Sequence, residues 1–325
     1  MFKFTSIWLR GAKEFGSQAS RTSKASMRWA STYKRFNNTK SSSNILQDPT
    51  YRKYAAGVLG LGGVFYVTHL EEAPVTGRRR FIWSTEGLEK WVGDRSYRQV
   101  LAENRGHILP PHHPLSVKVS NVFEKILKVS PIDESHLDWK VHIVNDPRAP
   151  PNAFVLPGGK VFVFSSILNI CQNDDGLATV LSHEFAHQLA RHTGENLSKT
   201  PIYAALGIFL YALTGADFFN SLLINTIIKM PASRAMETEA DYIGLMLMSE
   251  ACYDPNESYK LWERMANWEK GRGVHQPEFM STHPGTETRI QNMRSWLPEA
   301  EERRAKSHCG QFTSFYDFGR GREIF

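Results

Sequence analysis

His183-Glu184-Phe185-Ala186-His187 is the most informative run of residues in this chain. On a helix, two histidines four residues apart lie on the same face, as a single zinc ion requires of its ligands. Glu184 can then direct its carboxylate at the open position of the metal and take a proton from water. The run therefore predicts zinc-dependent hydrolysis of an amide bond, although such a short pattern also arises by chance in long helices.

Residues on both sides of this run predict a helix that faces the core. Asn173 or Asp174 can cap its N-terminus. Its apolar stripe consists of Leu177, Val180, Leu181, Phe185, Ala186, Leu189 and Ala190. The two histidines would therefore lie beside a buried surface.

A catalytic zinc site needs a third protein ligand. Metzincins would have glycine and histidine at the positions of Ala190 and Thr193, so that class is excluded. His192 is one residue out of register for this role. It is expected to be a solvated histidine at the helix end.

A second acidic pattern supplies a better candidate for the third ligand. Glu237 and Asp241 are four residues apart, so both carboxylates face the same way on a helix. Glu237 would complete the metal site, while Asp241 would accept a hydrogen bond from the outer nitrogen of a ligating histidine. The alternative is a solvated acidic face, but the segment continues with Ile243, Leu245, Met246, Leu247 and Met248. Glu239 falls on the opposite face and is expected to be solvated.

A hairpin precedes the histidine helix. Asn152, Ala153 and Phe154 open a strand, and a Gly-Gly turn joins it to a second strand that ends at Phe164. An edge strand here could bind a peptide main chain by β-augmentation. An ordinary core hairpin is the alternative, and the sequence favours neither.

A cationic pair follows further along the chain. His283, in a Ser-Thr-His-Pro run, and Arg289 are suited to stabilising the oxyanion of a tetrahedral intermediate. Taken alone, a His-Pro pair commonly marks only a turn.

Together these motifs resemble the gluzincin metallopeptidases that include bacterial HtpX and the CAAX prenyl proteases, and in particular their members in the mitochondrial inner membrane. The resemblance covers roughly residues 81–300 and implies one zinc ion per chain, a substrate-binding edge that begins at Asn152 and Ala153, and a role in membrane-protein quality control and stress-linked processing. The metal ligands that it implies are His183, His187 and Glu237. The catalytic residues that it implies are Glu184 as general base, His283 as oxyanion or substrate ligand, and Arg289 nearby.

The positive charge of the chain is unevenly distributed. The net charge is +6, and the first 50 residues contain nine Lys or Arg against only Glu14 and Asp48. Many serines and threonines accompany them. This composition favours a mitochondrial transit peptide over a nucleic-acid-binding arm or a disordered segment without a partner, so no nucleic-acid partner is expected.

Residues 54–70 contain no Asp, Glu, Lys or Arg and predict one transmembrane helix, with a buried Gly-rich hairpin or core helix as the alternative. Arg52 and Lys53 before it favour a matrix-facing N-terminus, which directs the catalytic domain to the intermembrane space. The arginines at 78–80 weaken this rule. Small residues four apart within the helix are compatible with a homo-oligomer.

A second apolar region lies between the metal motifs. Residues 202–213 and 218–228 carry no charge, yet each run is too short to span a membrane alone. Two buried or lid helices are preferred over a hairpin that dips into the membrane.

The three cysteines, Cys171, Cys252 and Cys309, show no CxxC spacing. They predict neither a disulfide framework nor a cysteine metal site. Buried thiols are expected, with a redox pair in an oxidising compartment as the alternative.

The sequence thus predicts an α+β, zincin-like (gluzincin) fold, mostly helical with a small sheet, plus an N-terminal transmembrane helix. The expected segments are a transit peptide and linker at 1–50, the transmembrane helix at 51–72, the metallopeptidase domain at 81–300 with an apolar hairpin at 202–230, and a C-terminal tail at 301–325. The expected function is zinc-dependent cleavage of inner-membrane proteins in contact with lipid. The alternatives are a non-enzymatic scaffold with a structural zinc, against which Glu184 argues, and a prenyl-protein protease, a relative that has many membrane spans.

Overall fold

The computed structural model describes residues 48–131, 137–215, 230–272 and 286–307, together with Cys309. The chain divides into two compact units, Met1–Val58 and Leu59–Phe325. The first unit contributes the start of helix α1 (Pro49–Thr68), and the second contains the other elements named below. The expected transit peptide and the tail after Cys309 lie outside the described residues.

The second unit is mainly helical with two small sheets. Its elements follow in the order β1 (Leu70–Glu72), β2 (Arg79–Phe81), α2 (Glu86–Glu103), α3 (Pro114–Lys128), β3 (Lys140–Val144), β4 (Ala153–Leu156), β5 (Lys160–Phe164), α4 (Ser165–Cys171), α5 (Asp174–Leu189), α6 (His192–Thr214), α7 (Met230–Glu250), α8 (Asn256–Arg272) and α9 (Thr286–Lys306). The mostly helical composition with a small sheet agrees with the predicted class.

The larger sheet has the strand order β3-β5-β4, with β5 parallel to β3 and antiparallel to β4. Gly158 and Gly159 form the turn between β4 and β5 at φ values of 92° and 84°. Glycine is the residue that adopts this left-handed backbone without strain, so the predicted hairpin is confirmed. Among the described residues, no strand pairs with the outer side of β4, which makes β4 an edge strand.

Helix α5 carries the two histidines of the opening motif and lies in the centre of the core. Asn173 caps it, because its side chain accepts a hydrogen bond from the backbone N–H of Gly176 at 2.7 Å. The predicted helix and one of its two candidate caps are therefore confirmed. Helix α7 packs directly on α5, and a Cβ atom at Gly244 would lie 2.9 Å from the backbone nitrogen of His183. The absence of a side chain at Gly244 lets the two helices approach closely.

Two helices relate to the membrane predictions. Helix α1 covers most of the residues expected to span the membrane but ends at Thr68, and none of its residues is buried. Among the helices that the structure describes, α6 is the one that is long and apolar enough to cross a membrane.

Helix α6 also corrects an expectation. It has 23 residues, because its polar N-terminal part continues into the uncharged run at 202–213. The apolar side chains of that run are exposed rather than buried, with Ile208 72% exposed and Leu213 63% exposed. The second uncharged run, 218–228, lies outside the described residues.

Cys252 and Cys309 form a disulfide, so the expectation of buried thiols was wrong for these two cysteines and the alternative of one cysteine pair is observed. Helices α7 and α9 pack against each other, and the two cysteines follow their C-terminal ends. Because 57 residues separate the pair, short-range spacing rules do not detect it. Cys171 is a buried free thiol as expected, and burial raises its pKa to about 12.

Candidate metal centre

Helices α5 and α7 bring the three predicted ligands together. The Nε2 atoms of His183 and His187 lie 3.2 Å apart. The Glu237 carboxylate lies 3.4 Å from Nε2 of His183 and 3.5 Å from Nε2 of His187. One donor atom from each residue falls within 4.8 Å of the others. Two imidazoles and one carboxylate form the donor set of a catalytic zinc site.

The cluster is buried on one side and accessible on the other. His183 and Glu237 are buried, whereas the side chain of His187 is 19% exposed. Glu184 follows His183 on α5 and is also buried. A carboxylate in this position can exchange a proton with a reacting group held at the cluster.

Asp241 supports the outer nitrogen of His183. Its Oδ1 atom lies 3.0 Å from Nδ1 of that ring. Arg289, on α9, donates two hydrogen bonds of 2.7 Å to the same carboxylate. Burial alone would raise the pKa of Asp241, but the charge and hydrogen bonds of Arg289 lower it below its ordinary value. Asp241 is therefore ionised and accepts from His183.

The guanidinium of Arg289 is fully enclosed. It stacks on Trp262 of α8, with Cζ 3.6 Å from the ring centroid, and it also contacts Glu237, with 3.5 Å between Nη1 and Oε2. This position places Arg289 in the carboxylate network around the ligands. His283, predicted to act with it on an oxyanion, lies outside the described residues.

His192 and Glu239 are both buried, so the expectation that solvent covers them was wrong. Arg191, in a left-handed conformation with φ 48°, lies just before α6 and turns the chain so that this helix starts at His192. The His192 ring then folds back to His187, with 2.7 Å between their Nδ1 atoms. Its Nε2 atom lies 3.0 Å from Oε2 of Glu239.

Glu239 has three donors. Burial would raise its pKa, but hydrogen bonds from His192, Arg78 and Thr76 lower it to about 2. Burial also keeps the pKa of His192 below its ordinary value. The imidazole of His192 therefore lies between the predicted ligand His187 and the Glu239 carboxylate.

The predicted substrate edge lies next to the metal helix. Asn152 and Ala153 are buried, and Phe154 is partly exposed. The Asn152 carbonyl accepts a hydrogen bond from the N–H of Phe164 at 2.9 Å, which ties this segment to β5. Strand β4 contacts α5, the helix that carries His183 and His187. The structure thus brings the edge strand and two of the predicted ligands to one region.

Comparison with known proteins matches this arrangement to a family. The model of peptidase family M48 matches residues 115–297. The chain is 54% identical over 300 residues to the mitochondrial metalloendopeptidase OMA1 of Saccharomyces cerevisiae, covering 88% of this chain and 87% of that protein. It is 44% identical over 267 residues to the protein of the same name from Schizosaccharomyces pombe, covering 81% and 77%. It is 29% identical over 260 residues to metalloendopeptidase OMA1 of Homo sapiens, covering 76% of this chain and 49% of that one.

Proposed function

The chain belongs to peptidase family M48 and is a mitochondrial metalloendopeptidase, and we propose that it cleaves inner-membrane proteins at a zinc ion held by His183, His187 and Glu237. Its relatives are named as metalloendopeptidases, so neither a non-enzymatic scaffold nor a prenyl-protein protease is favoured.

The observation that carries the proposal is the convergence of three ligand atoms beside a buried glutamate. The donor set fits zinc, because two imidazoles and one carboxylate leave a position open for substrate or water. The distances of 3.2 to 3.5 Å between the donor atoms suit ligands around one small cation. When bound, zinc supplies Lewis acidity to a scissile carbonyl and makes water more acidic.

The residues of the chain carry the remaining steps. Glu184 takes the proton of the attacking water and delivers it to the leaving amine. Asp241 holds Nδ1 of His183, so that Nε2 of the ring faces Glu237. Arg289 neutralises Asp241 within the buried network. The assignment of His283 as the oxyanion ligand is part of the proposal and rests on the sequence motif.

Strand β4 is the proposed binding edge for the substrate. An extended peptide that pairs with its outer side would lie along helix α5, which carries the ligands. Main-chain hydrogen bonds do not depend on side chains, so such an edge accepts many sequences. A protease that removes diverse membrane proteins needs this tolerance.

We further propose that the domain faces the intermembrane space and contacts the bilayer. The Cys252–Cys309 disulfide supports an oxidising compartment. The exposed apolar face of α6, with Ile208 and Phe209 more than half exposed, supports contact with lipid. Helix α1, with Arg52 and Lys53 near its start, is the proposed transmembrane anchor.

Glu184→Gln tests the proposed chemistry. The substitution removes the base but none of the three ligands, so the purified full chain in detergent should retain one zinc ion and lose cleavage of casein. Metal analysis and a proteolysis assay on the same sample measure both properties. Full activity in this variant would contradict the proposed role of Glu184 as the base.

Glu302→Gln is the control. Glu302 forms an exposed ion pair with Lys306 on α9, far along the chain from the ligands, so the same chemical change should leave zinc and cleavage unaltered. Loss of cleavage in both variants would show that the assay reports general damage.

A further inference from the structure

The outer nitrogen of His187 has a partner of a different kind from that of His183. Its Nδ1 atom lies 2.7 Å from Nδ1 of His192, whose Nε2 atom lies 3.0 Å from Oε2 of Glu239. The Glu239 carboxylate also accepts hydrogen bonds from Arg78 and Thr76, so Nε2 of His192 is the donor in this pair. The contact between the two Nδ1 atoms is a hydrogen bond in which Nδ1 of His187 donates when its Nε2 faces the ligand cluster. This pattern leaves the lone pair of His187 on Nε2, where the other ligand atoms converge.

Glu239 is in turn held by the hairpin that follows α1. Arg78, in the turn between β1 and β2, donates from Nε to Oε2 of Glu239 at 2.8 Å. The hydroxyl of Thr76, in the same turn, donates to Oε1. Arg78 also forms a paired contact with the buried Glu195, at 2.7 Å and 3.2 Å, so its guanidinium is fixed from two sides. Lys199 forms a second ion pair with Glu195.

Each of the two histidines is therefore held by a chain of contacts. His183 contacts Asp241, which is held by Arg289. His187 contacts His192, which contacts Glu239, and Glu239 is held by Arg78. Asp241 and Glu239 are two residues apart on α7, so they point to different sides of that helix. The imidazole of His192 lies between His187 and Glu239 and connects them.

We propose that His192 and Glu239 are positioning residues for the metal ligand His187, and that Arg78 and Thr76 make the hairpin after α1 part of the metal centre. This inference rests on the proposed ligand role of His187. It means that the segment next to the proposed membrane anchor fixes the orientation of one zinc ligand. A displacement of the hairpin would release Glu239, then His192, and so loosen the metal site.

Substitution of His192 tests the inference on the full chain. His192→Phe removes both ring contacts and should lower zinc affinity about ten- to a hundredfold, the usual effect of losing a partner that orients a ligand. His192→Asn keeps an acceptor close to the position of Nδ1 and should fall between the wild type and His192→Phe. Glu239→Gln and Arg78→Met should weaken zinc in the same direction. Competition with a chelator measures the affinity, and the visible spectrum of the cobalt-loaded protein reports the geometry of the ligands.

Two variants serve as matched controls. His142→Phe removes another partly buried imidazole, which contacts Tyr97 at 3.0 Å in the β3 region. Glu257→Gln changes another buried carboxylate that pairs with an arginine, because Glu257 lies 2.6 Å from Arg264 and takes no part in the supports of His187. Both should keep the zinc affinity and the cobalt spectrum, even where thermal stability falls.

His187→Ala separates the two proposals. If it retains zinc, the proposed ligand set is wrong, whatever His192 does. If it loses zinc while His192→Phe and His192→Asn keep the affinity and spectrum of the wild type, the positioning chain is wrong and the ligand set stands. Should His192→Phe fail to fold, His192→Asn and Glu239→Gln give the decisive measurements.

Discussion

Nδ1 of His183 lies 3.0 Å from Oδ1 of Asp241, on the side of the ring away from Glu237. This contact indicates that the two acidic residues on this face of α7 have different functions. Glu237 is the proposed ligand, and Asp241 fixes the ligand His183. The two carboxylates should therefore respond differently to the same amide substitution.

Glu237→Gln should yield a protein that is poor in zinc and inactive, because only two protein ligands remain. Asp241→Asn keeps all three ligands and should lower zinc affinity or activity by about ten- to a hundredfold. Zinc content and residual cleavage, measured side by side, provide the comparison. If Glu237→Gln held stoichiometric zinc while Asp241→Asn lost it, the two roles would have to be exchanged.

Gly244→Ala should disturb the metal centre, because Gly244 lies on the same face of α7 as Glu237 and Asp241. The added Cβ would lie 2.9 Å from the nitrogen and 3.0 Å from the Cα of His183, and a backbone cannot rotate away. Helices α5 and α7 would have to separate, at a cost of about 1–3 kcal/mol in the free energy of unfolding. The increased distance between His183 and Glu237 should also reduce zinc affinity.

Gly87→Ala is the control for this change, because its Cβ would meet only the Thr85 hydroxyl at 3.9 Å. Alanine favours a helix by about 0.5–1 kcal/mol over glycine, so this variant should be as stable as the wild type or slightly more so. Denaturant unfolding of the zinc-loaded proteins measures both. Equal stability of the two variants would contradict the close approach of the helices.

The states of the three cysteines predict how many of them iodoacetamide will label. Burial raises the pKa of Cys171 to about 12, so its thiol stays protonated and inaccessible near pH 8 and should not react with iodoacetamide in the folded chain. Unfolding without reductant should give one label, because Cys252 and Cys309 are joined. Unfolding with reductant should give three labels. Mass spectrometry of the intact protein reads the number.

Cys252→Ser checks the assignment, since it frees Cys309 and should give two labels after unfolding without reductant. Three labels on the unreduced wild-type chain would mean that the disulfide does not form in the organelle from which the protein was isolated.

The compartment can be tested in intact mitochondria. When the outer membrane alone is ruptured by swelling, added protease should degrade the metallopeptidase domain, because it is proposed to face the intermembrane space. Immunodetection of an epitope after Lys306 follows the domain, and a matrix protein serves as the protected control. Survival of the domain together with the matrix control would place it on the other side of the membrane.

Sequence reasoning succeeded where the signals were local. The cap at Asn173, the Gly158-Gly159 turn and the apolar run after Asp241 each specify structure through neighbours within a few residues. The spacing of the histidines and of the acidic pair further placed the ligands on two helix faces, which the fold then brought together.

Sequence reasoning failed where the partner is remote. Nothing near Glu239 indicates that Arg78 will cover it, and nothing near Cys252 indicates Cys309. His192 looked solvated because it follows the helix end, whereas the left-handed turn at Arg191 folds it inward. The available signal was the apolar run from Ile243 to Met248 that follows Glu239, since a charged residue on a buried helix must have a partner.

The metal centre takes residues from Arg78 in the first hairpin to Arg289 in the last helix. Synthesis from the N-terminus produces the histidine helix well before the arginine that neutralises Asp241. Contacts between residues so far apart in the chain form late in folding, after most of the entropy of closing long loops has been lost. Until the last helix has packed against α7, Asp241 lacks its buried counter-charge, so we expect the metal site to be complete only when that helix is in place.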